Sequence, residues 1–369
     1  MSKDNNKLLI YAVGDIMLGD HSYYLKLGIG SRLRRGKLAD PFEHVKHLLR
    51  KGDIVLGNLE TVLSKRTNRY GFNKIDLRGE PSWAKLIAEA GFIVISVANN
   101  HAMQHGIGAW YESIRNLRNA GINVVGIKKD PILILECKGI RIAILGFSLR
   151  PPQYGVLSPP YYLSSAEEVR ERVNQAKGNA DIVILSLHWG DEYSSRPSQE
   201  QLQIGDSFIR SGATLIVGHH PHVLQGIERK GRAAIAYSLG NFVSDMTVKR
   251  SRESAILSLH LGKQGIEGLS LIPILIGEDS CPCLLDSEEG ELEMGLIKKY
   301  NAGLDLSKNT NAQTEYSKDV KKTVKEFRYE FMKWLAHNWR KYPLLALFWI
   351  LGGIAMRKLL LPAKWLRNK

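Results

Sequence analysis

The residues of this sequence that are best suited to chemistry are three histidines within four positions, His219, His220 and His222. They come directly after the apolar, β-branched run 213–217, which predicts a strand. Histidine is the side chain that most often ligates metals, and neutral imidazole binds borderline divalent metals readily. A polar turn with locally bonded histidines is the alternative, but three imidazoles at one strand end favour a metal site.

Other predicted strands also lead to side chains that can ligate a metal or carry a proton. These side chains are Asp15 after residues 7–13, Asn58 and Glu60 after 53–56, Asn100 and His101 after 92–97, His188 after 181–187, and Asn241 after 233–237. In open α/β sheets, functional residues gather at the carboxyl ends of the strands, so we expect these residues to lie together. For Asn58 and Asn241, a role in a turn is an equal alternative to a role in binding.

Carboxylate, amide and imidazole ligands from separate loops are the set that a two-metal hydrolytic centre requires. Two divalent cations about 4 Å apart polarise the reacting oxygen and lower the pKa of a bridging water. A histidine outside the ligand set can then protonate the leaving group. The strand ends therefore predict a binuclear metal centre with a histidine acid beside it.

The composition is that of a globular protein whose basic excess is concentrated at one end. In 369 residues, 51 Lys and Arg against 37 Asp and Glu give a net charge of +14, and ten of these surplus charges lie in residues 318–369. The main part offers no basic stripe interleaved with aromatics, so we expect no nucleic-acid partner. Three scattered cysteines and the lack of a secretory hydrophobic segment favour a reduced, cytoplasmic location.

The strands alternate with helical patterns, which is typical of an α/β fold. Helices are predicted at residues 81–90, 108–120, 164–177 and 197–211. A hairpin is predicted from residues 131–137 and 140–147, and two further strands from 255–260 and 269–276. We expect these elements to form one domain over residues 1–278.

The C-terminal part differs in character from this domain. Residues 279–317 are polar, have no sustained period and predict a connector. Residues 318–369 combine a basic amphipathic helix with the apolar run 344–356, which is shorter than the roughly 20 residues of a membrane span. We expect this tail to bind the inner face of a membrane as a peripheral anchor, with a helix docked on the body or a dimer contact as alternatives.

Six motifs in fixed order give the sequence a specific resemblance. They are Gly14-Asp15, Gly57-Asn58-Leu59-Glu60, Ala98-Asn99-Asn100-His101, His188-Trp189-Gly190, Gly218-His219-His220-Pro221-His222-Val223 and Tyr237-Ser238-Leu239-Gly240-Asn241-Phe242. Over residues 8–277, the chain resembles the CapA family, the poly-γ-glutamate capsule-biosynthesis proteins, a branch of the calcineurin-like metallophosphoesterases. The resemblance implies a four-layer α/β/β/α sandwich of two facing mixed sheets, with metals at the sheet ends.

The resemblance also implies roles for individual residues. The metal-ligand positions are matched by Asp15, Asn100, His188, His220 and His222, and the position of the acid by His101. The spacing leaves open whether His219 or His220 is the inner ligand. Met17 stands where these phosphoesterases usually have a histidine, and Asn58 where they have a bridging aspartate, so Glu60 is the candidate replacement.

These observations predict a metal-dependent hydrolase that acts on a phosphoester or amide bond of an anionic polymer, with two ions of Mn, Zn or Fe. His101 is the expected acid, and Asn58 and Asn241 are candidate substrate contacts. The alternative is a non-hydrolytic protein that binds the polymer or a polymer synthase at the membrane. The incomplete ligand set and the basic apolar tail favour that alternative.

Overall fold

The structure is a computed structural model that describes residues 7–285 except 152, 155–158 and 162, together with residues 301, 312–345, 347, 348 and 350–352. The strands of this part of the chain are β1 (Leu8–Ile16), β2 (Ile54–Leu59), β3 (Val62–Leu63), β4 (Arg78–Gly79), β5 (Val94–Ser96), β6 (Asn123–Val125), β7 (Leu133–Cys137), β8 (Ile140–Ser148), β9 (Ile182–His188), β10 (Leu215–His219), β11 (Ile227–Lys230), β12 (Ala233–Ala236), β13 (Asn241–Val243), β14 (Glu253–Gly262), β15 (Gly265–Ile276) and β16 (Pro282–Leu284). Its helices are α1 (Ile29–Arg34), α2 (Lys46–Leu49), α3 (Trp83–Glu89), α4 (Ile107–Asn119), α5 (Ala166–Lys177), α6 (Gln199–Arg210), α7 (Lys249–Arg252) and α8 (Ala312–Asn338).

The strands form two large mixed sheets and a small separate pair. The first sheet has the order β16-β15-β14-β1-β2-β5-β6, and β13 also pairs with β1. The second sheet has the order β11-β12-β10-β9-β8-β7. Strands β1, β2, β5 and β6 are parallel in the first sheet, and β8, β9, β10 and β12 in the second. The parallel strands of each sheet therefore send their carboxyl ends to one edge.

Side-chain alternation along β1 explains how the sheets and helices stack. Ile10 and Ala12 are fully buried in a core that they share with Ile184 of the second sheet. Val13 points the other way, into a core that includes Trp110 of α4. Successive strand residues point to opposite faces, so one strand serves both cores. Helices α5 and α6 cover the outer face of the second sheet in the same way, and the predicted four-layer α/β/β/α sandwich is confirmed.

Most predicted elements form near their expected bounds, but four strands, β1, β2, β9 and β10, run further, into the predicted site. The predicted hairpin turns at Lys138 and Gly139, both with positive φ. Strands β1 and β2 include Asp15 and Asn58, which were expected in the loops beyond the strands. The reason is that Asp15 pairs across the sheet with Asn58 on one side and Asn241 on the other. The backbone ladder therefore continues into the predicted site.

Folded structure continues past residue 278. Strand β16 pairs with β15, with Cys283 opposite Leu275, and α8 begins at Ala312, inside the predicted connector. Most of that connector, residues 286–300 and 302–311, lies outside the described residues, as do residues 353–356 of the apolar run.

Helix α8 lies on the body through its aromatic side, which is the docked arrangement that the sequence left as an alternative. Phe327 stacks on Tyr193, with ring centroids 4.9 Å apart, and Phe331 is buried. The backbone N–H and the hydroxyl of Ser195 both donate hydrogen bonds to Asp319. The body covers this aromatic face of α8, and attachment of the tail to a membrane stays a prediction.

The apolar residues that follow α8 are placed differently. Leu344, Leu345 and Phe348 are 71%, 71% and 75% exposed, next to the cations Arg340 and Lys341. Among the described residues, the helices are all too short or too polar to cross a bilayer.

We expect Phe327→Ala to lower the free energy of unfolding by about 3 kcal/mol or more, because it removes a buried aromatic ring from a packed contact. Tyr329→Ala is the matched control, since Tyr329 lies on the same helix and is 68% exposed, where substitutions change stability by about 0.5 kcal/mol or less. Denaturant unfolding of the full chain measures both. Equal effects of the two substitutions would contradict the docking of α8.

Candidate metal centre

Neighbouring strand ends bring the predicted polar residues together. Strands β1 and β2 hold Asp15 and Asn58 in register side by side, and β9 and β10 do the same for His188 and His219. Glu60 follows β2 by one residue. All five side chains are buried. Residues predicted at separate strand ends therefore converge on one buried site.

Two backbone features shape this site: the close approach of Gly218 to Tyr237 and the positive φ angles of His220 and His222. A Cβ atom on Gly218 would lie 1.9 Å from the carbonyl oxygen of Tyr237, so glycine is needed where the chain passes this closely. His220 and His222 have φ angles of 97° and 59°, a region that costs a non-glycine residue about 1–3 kcal/mol. Such strain is concentrated at functional sites, where it fixes the direction of a side chain.

Glu60 lies at the centre of the site. Its Oε1 is 3.6 Å from Nε2 of His188, 3.8 Å from Nε2 of His101 and 3.9 Å from Nε2 of His222. The carboxylate is fully buried, and neither oxygen has a hydrogen-bond partner among the described residues. Three imidazole nitrogens therefore surround one carboxylate oxygen at distances beyond a hydrogen bond, which leaves room for an ion between them.

Asp15 is the second carboxylate of the site. Its Oδ1 accepts a 2.8 Å hydrogen bond from Nδ2 of Asn58, and its Oδ2 accepts one of 3.1 Å from the backbone N–H of His220. Nδ1 of His219 lies 3.2 Å from Oδ1, and Nδ1 of His222 lies 3.3 Å from Oδ2. Asp15 is thus held in one orientation with two imidazoles at its oxygens.

The polar atoms without partners in this site are those that a divalent cation would satisfy. Both oxygens of Glu60 and both ring nitrogens of His220 are buried without a hydrogen bond among the described residues. Two groups of possible ligand atoms lie within 4.8 Å of one another: Glu60 with His220 and His222, and Asp15 with Glu60 and His188. An unsatisfied buried polar group costs about 1–3 kcal/mol, and more if it is charged. The residues present fit a divalent metal, and Glu60 belongs to both groups.

Burial and close pairing set the charges of the site. Burial raises the pKa of Glu60 well above its usual value, against an opposing effect of His222, and the charges of Asp15 and Glu192 raise it further. Burial alone would raise the pKa of Asp15, but His219 and His222 hold it well below its usual value. Burial would lower the pKa of His222, but Glu60 and Asp15 raise it to about 10. The protein's own groups thus do not fully compensate the negative charge of an ionised Glu60. A bound cation can compensate that charge.

His101 lies at the edge of the site with a defined proton arrangement. Its Nδ1 is 2.7 Å from Oε1 of Gln104, whose Nε2 donates a 3.1 Å hydrogen bond to the backbone carbonyl of Asp76. That donation orients the amide, and its oxygen can only accept, so Nδ1 of His101 carries a proton. Nε2 is left on the side of Glu60, and 14% of the His101 side chain is exposed. His101 is therefore both oriented and accessible.

The asparagines of the motifs contact the histidines and carboxylates of the site. Oδ1 of Asn100 is 2.8 Å from Nε2 of His188, and Oδ1 of Asn241 is 3.0 Å from Nδ1 of His222. Asn58 and Asn241 are fully buried. Their burial favours a positioning role over the substrate contact expected from the sequence.

The structure adds Glu192 to the surroundings of the site and places Met17 among apolar side chains. Glu192 was not predicted, yet its charge raises the pKa of both Glu60 and His222; its place just after the His-Trp-Gly motif was the available signal. Met17, at the position of the missing histidine, packs in an apolar cluster with Phe327.

Comparison with known proteins gives the site a family context. The profile of the bacterial capsule synthesis protein PGA_cap matches residues 9–246. The chain is 33% identical over 296 residues to the capsule biosynthesis protein CapA of Bacillus anthracis, covering 75% of this chain and 70% of that protein. It is 33% identical over 282 residues to the PGA biosynthesis protein CapA of Bacillus subtilis, covering 72% and 71%. A probable polyglutamine synthesis accessory protein of Mycobacterium tuberculosis is 23% identical over 215 residues, covering 52% and 56%.

We expect Glu60→Gln to weaken metal binding by more than about 100-fold, because both ligand groups contain Glu60 and changes behind the ligands alone cost 10–100-fold. Elemental analysis of protein prepared with manganese and zinc measures the retained metal. His260→Ala is the control, since His260 is an exposed histidine far along β14 from the site and its loss leaves the content unchanged. Equal metal content in Glu60→Gln and the wild type would contradict the metal centre.

Proposed function

This chain belongs to the bacterial capsule synthesis protein family PGA_cap, and from this premise we propose that it is a metal-dependent hydrolase in the biosynthesis of an anionic, capsule-type polymer. The bond is a phosphoester or an amide, and the polymer resembles poly-γ-glutamate. The names of the two Bacillus relatives support the pathway, because both refer to capsule or PGA biosynthesis.

One observation carries the hydrolase proposal, namely the fully buried carboxylate of Glu60 without a hydrogen bond among the described residues. A charge in that position is strongly destabilising unless a counter-charge accompanies it. Burial holds the pKa of His188 and His220 well below the usual value, so both rings are neutral, as metal ligands must be. His222, whose pKa is raised to about 10, would release its proton on binding a metal. A structural core would not gather these groups at the end of two sheets.

The two ligand groups support a binuclear site in which Glu60 is shared. One ion would be held by His220 and His222, the other by Asp15 and His188, with Asn100 beside the latter. Glu60 would thereby replace the bridging aspartate whose position is taken by an asparagine. Imidazole and carboxylate ligands favour Mn, Zn or Fe over Mg or Ca.

Bound metals would polarise the reacting oxygen as Lewis acids and would lower the pKa of a bound water. The chain itself would supply the proton for the leaving group from Nε2 of His101 in its doubly protonated form, because Nδ1 keeps its proton on Gln104 and Nε2 is left on the side of Glu60. A positioned general acid contributes about 10²–10⁴-fold to the rate.

The exposed apolar residues after α8 favour a second function. Leu344, Leu345 and Phe348, with neighbouring cations, fit peripheral contact with a membrane surface or with a polymer synthase there. The Mycobacterium tuberculosis relative bears the name of an accessory protein. A non-hydrolytic partner in polymer synthesis is therefore the alternative function for the same family.

We expect His101→Gln to lower kcat by at least about 100-fold without loss of metal, because it removes the proton donor but no member of the two ligand groups. The assay uses the metal-loaded full chain with bis-p-nitrophenyl phosphate and with γ-glutamyl oligomers. His260→Gln serves as the control that keeps full activity.

Two outcomes would contradict this proposal. A wild-type protein that holds metal but cleaves neither substrate class would support the accessory function instead. An unchanged kcat in His101→Gln would show that His101 takes no part in the reaction.

A further inference from the structure

The segment of residues 65–74, here called the basic loop, is much more cationic than the rest of the body before residue 318. Its ten residues contain four cations, Lys65, Arg66, Arg69 and Lys74, and no acidic residue. The whole body before residue 318 carries a surplus of only about four positive charges by the same counting. A concentration of charge of one sign beside a site attracts ligands of the opposite sign.

Hydrogen bonds fix the basic loop to the chain that carries His101. His105 is buried, and burial lowers its pKa to about 4, so its ring is neutral. Its Nε2 is 2.6 Å from the backbone oxygen of Asp76 and its Nδ1 is 2.7 Å from the hydroxyl of Thr67. Nε2 therefore donates to the carbonyl and Nδ1 accepts from the hydroxyl. The backbone N–H of Asn68 also donates to the carbonyl of His105, so the loop is anchored on both sides of this ring.

A continuous row of side chains leads from the basic loop to the centre. The guanidinium of Arg69 lies 4.7 Å from the ring centroid of Tyr154. That ring lies 6.1 Å from the ring of His101, and Nε2 of His101 lies 3.8 Å from Oε1 of Glu60. The N–H of Gln153 donates to the carbonyl of Asn100, which ties the Tyr154 segment to the site. Arg69 is thus two side chains away from the carboxylate at the centre.

Arg69 is positioned to take an anionic ligand. Within the described part of the chain, no carboxylate forms an ion pair with it, whereas Arg66 is paired with Glu112 at 3.5 Å. A depression of about 480 Å³ opens beside it, lined by Asn68, Arg69, Tyr70, Gly71 and Asn73. Tyr70 is 82% exposed at this depression. A fixed guanidinium beside amide and aromatic groups matches the planar geometry of a carboxylate.

We propose that the basic loop and Tyr154 form a subsite for an anionic polymer, in which Arg69 binds a carboxylate of a repeat next to the one held at the metal centre. This inference rests on the proposed function for the identity of the polymer, but not on its cleavage. The row of side chains from Arg69 through Tyr154 to His101 marks the path of the bound polymer. The ligand class is a polymer with a carboxylate on each repeat.

The test measures binding of a fluorescein-labelled poly-γ-glutamate decamer to the manganese-loaded full chain by fluorescence anisotropy. We expect Arg69→Gln to raise Kd about tenfold and Arg69→Lys to raise it less, because lysine keeps the charge but not the planar pair of donors. Arg170→Gln is the control, since it removes the same charge from α5 at an exposed pair with Glu167. Metal content and the unfolding midpoint stay unchanged in all three variants, because Arg69 is outside both ligand groups.

The results separate this subsite from the hydrolase proposal. Binding that depends on Arg69, without cleavage of either the decamer or bis-p-nitrophenyl phosphate, supports the subsite and refutes the hydrolase. Cleavage with equal Kd values for Arg69→Gln and Arg170→Gln refutes the subsite and leaves the hydrolase standing. A wild-type protein that does not bind the decamer also overturns the subsite.

Discussion

The compensation of one buried charge is the constraint on which this structure depends. Glu60 is fully buried, its oxygens have no hydrogen bond among the described residues, and three imidazole nitrogens surround it between 3.6 and 3.9 Å. Asp15 already draws on His219 and His222 for compensation, so the protein's own groups do not neutralise both carboxylates. A divalent cation resolves this deficit, and the resulting attraction would stabilise the fold as well as supply chemistry.

The rest of the fold serves to hold these groups against their mutual repulsion and strain. Parallel strands place Asp15 beside Asn58 and His188 beside His219 through backbone ladders that are costly to deform. The left-handed backbone at His220 and His222 is retained because the sheets on both sides determine it. Helix α8 closes one flank through Phe327 against Tyr193, whose ring lies 6.3 Å from that of His222. The far end of the chain therefore contacts a wall of the site.

Much of the site could be predicted because buried strands have apolar patterns and their ends do not. Asp15, Glu60, His101 and His188 stand out for that reason, and the six ordered motifs identify the family. The sequence could not show that Asp15 lies within the ladder, since a polar residue there resembles the start of a loop. It also could not place α8, because an apolar stripe fits a protein body as well as a membrane. The sequence also could not show that His105 anchors the basic loop, because its contacts with Thr67 and Asp76 leave no local pattern.

The stability of the metal-loaded and chelated protein tests the central claim most directly. Thermal unfolding of the full chain in manganese and in excess chelator is compared for the wild type and for Glu60→Gln. If a cation compensates Glu60, chelation lowers the wild-type Tm by several degrees, whereas the variant, which has no charge to compensate, shows a much smaller shift. A wild-type Tm that does not respond to chelation, or an equal response in both proteins, would contradict the account.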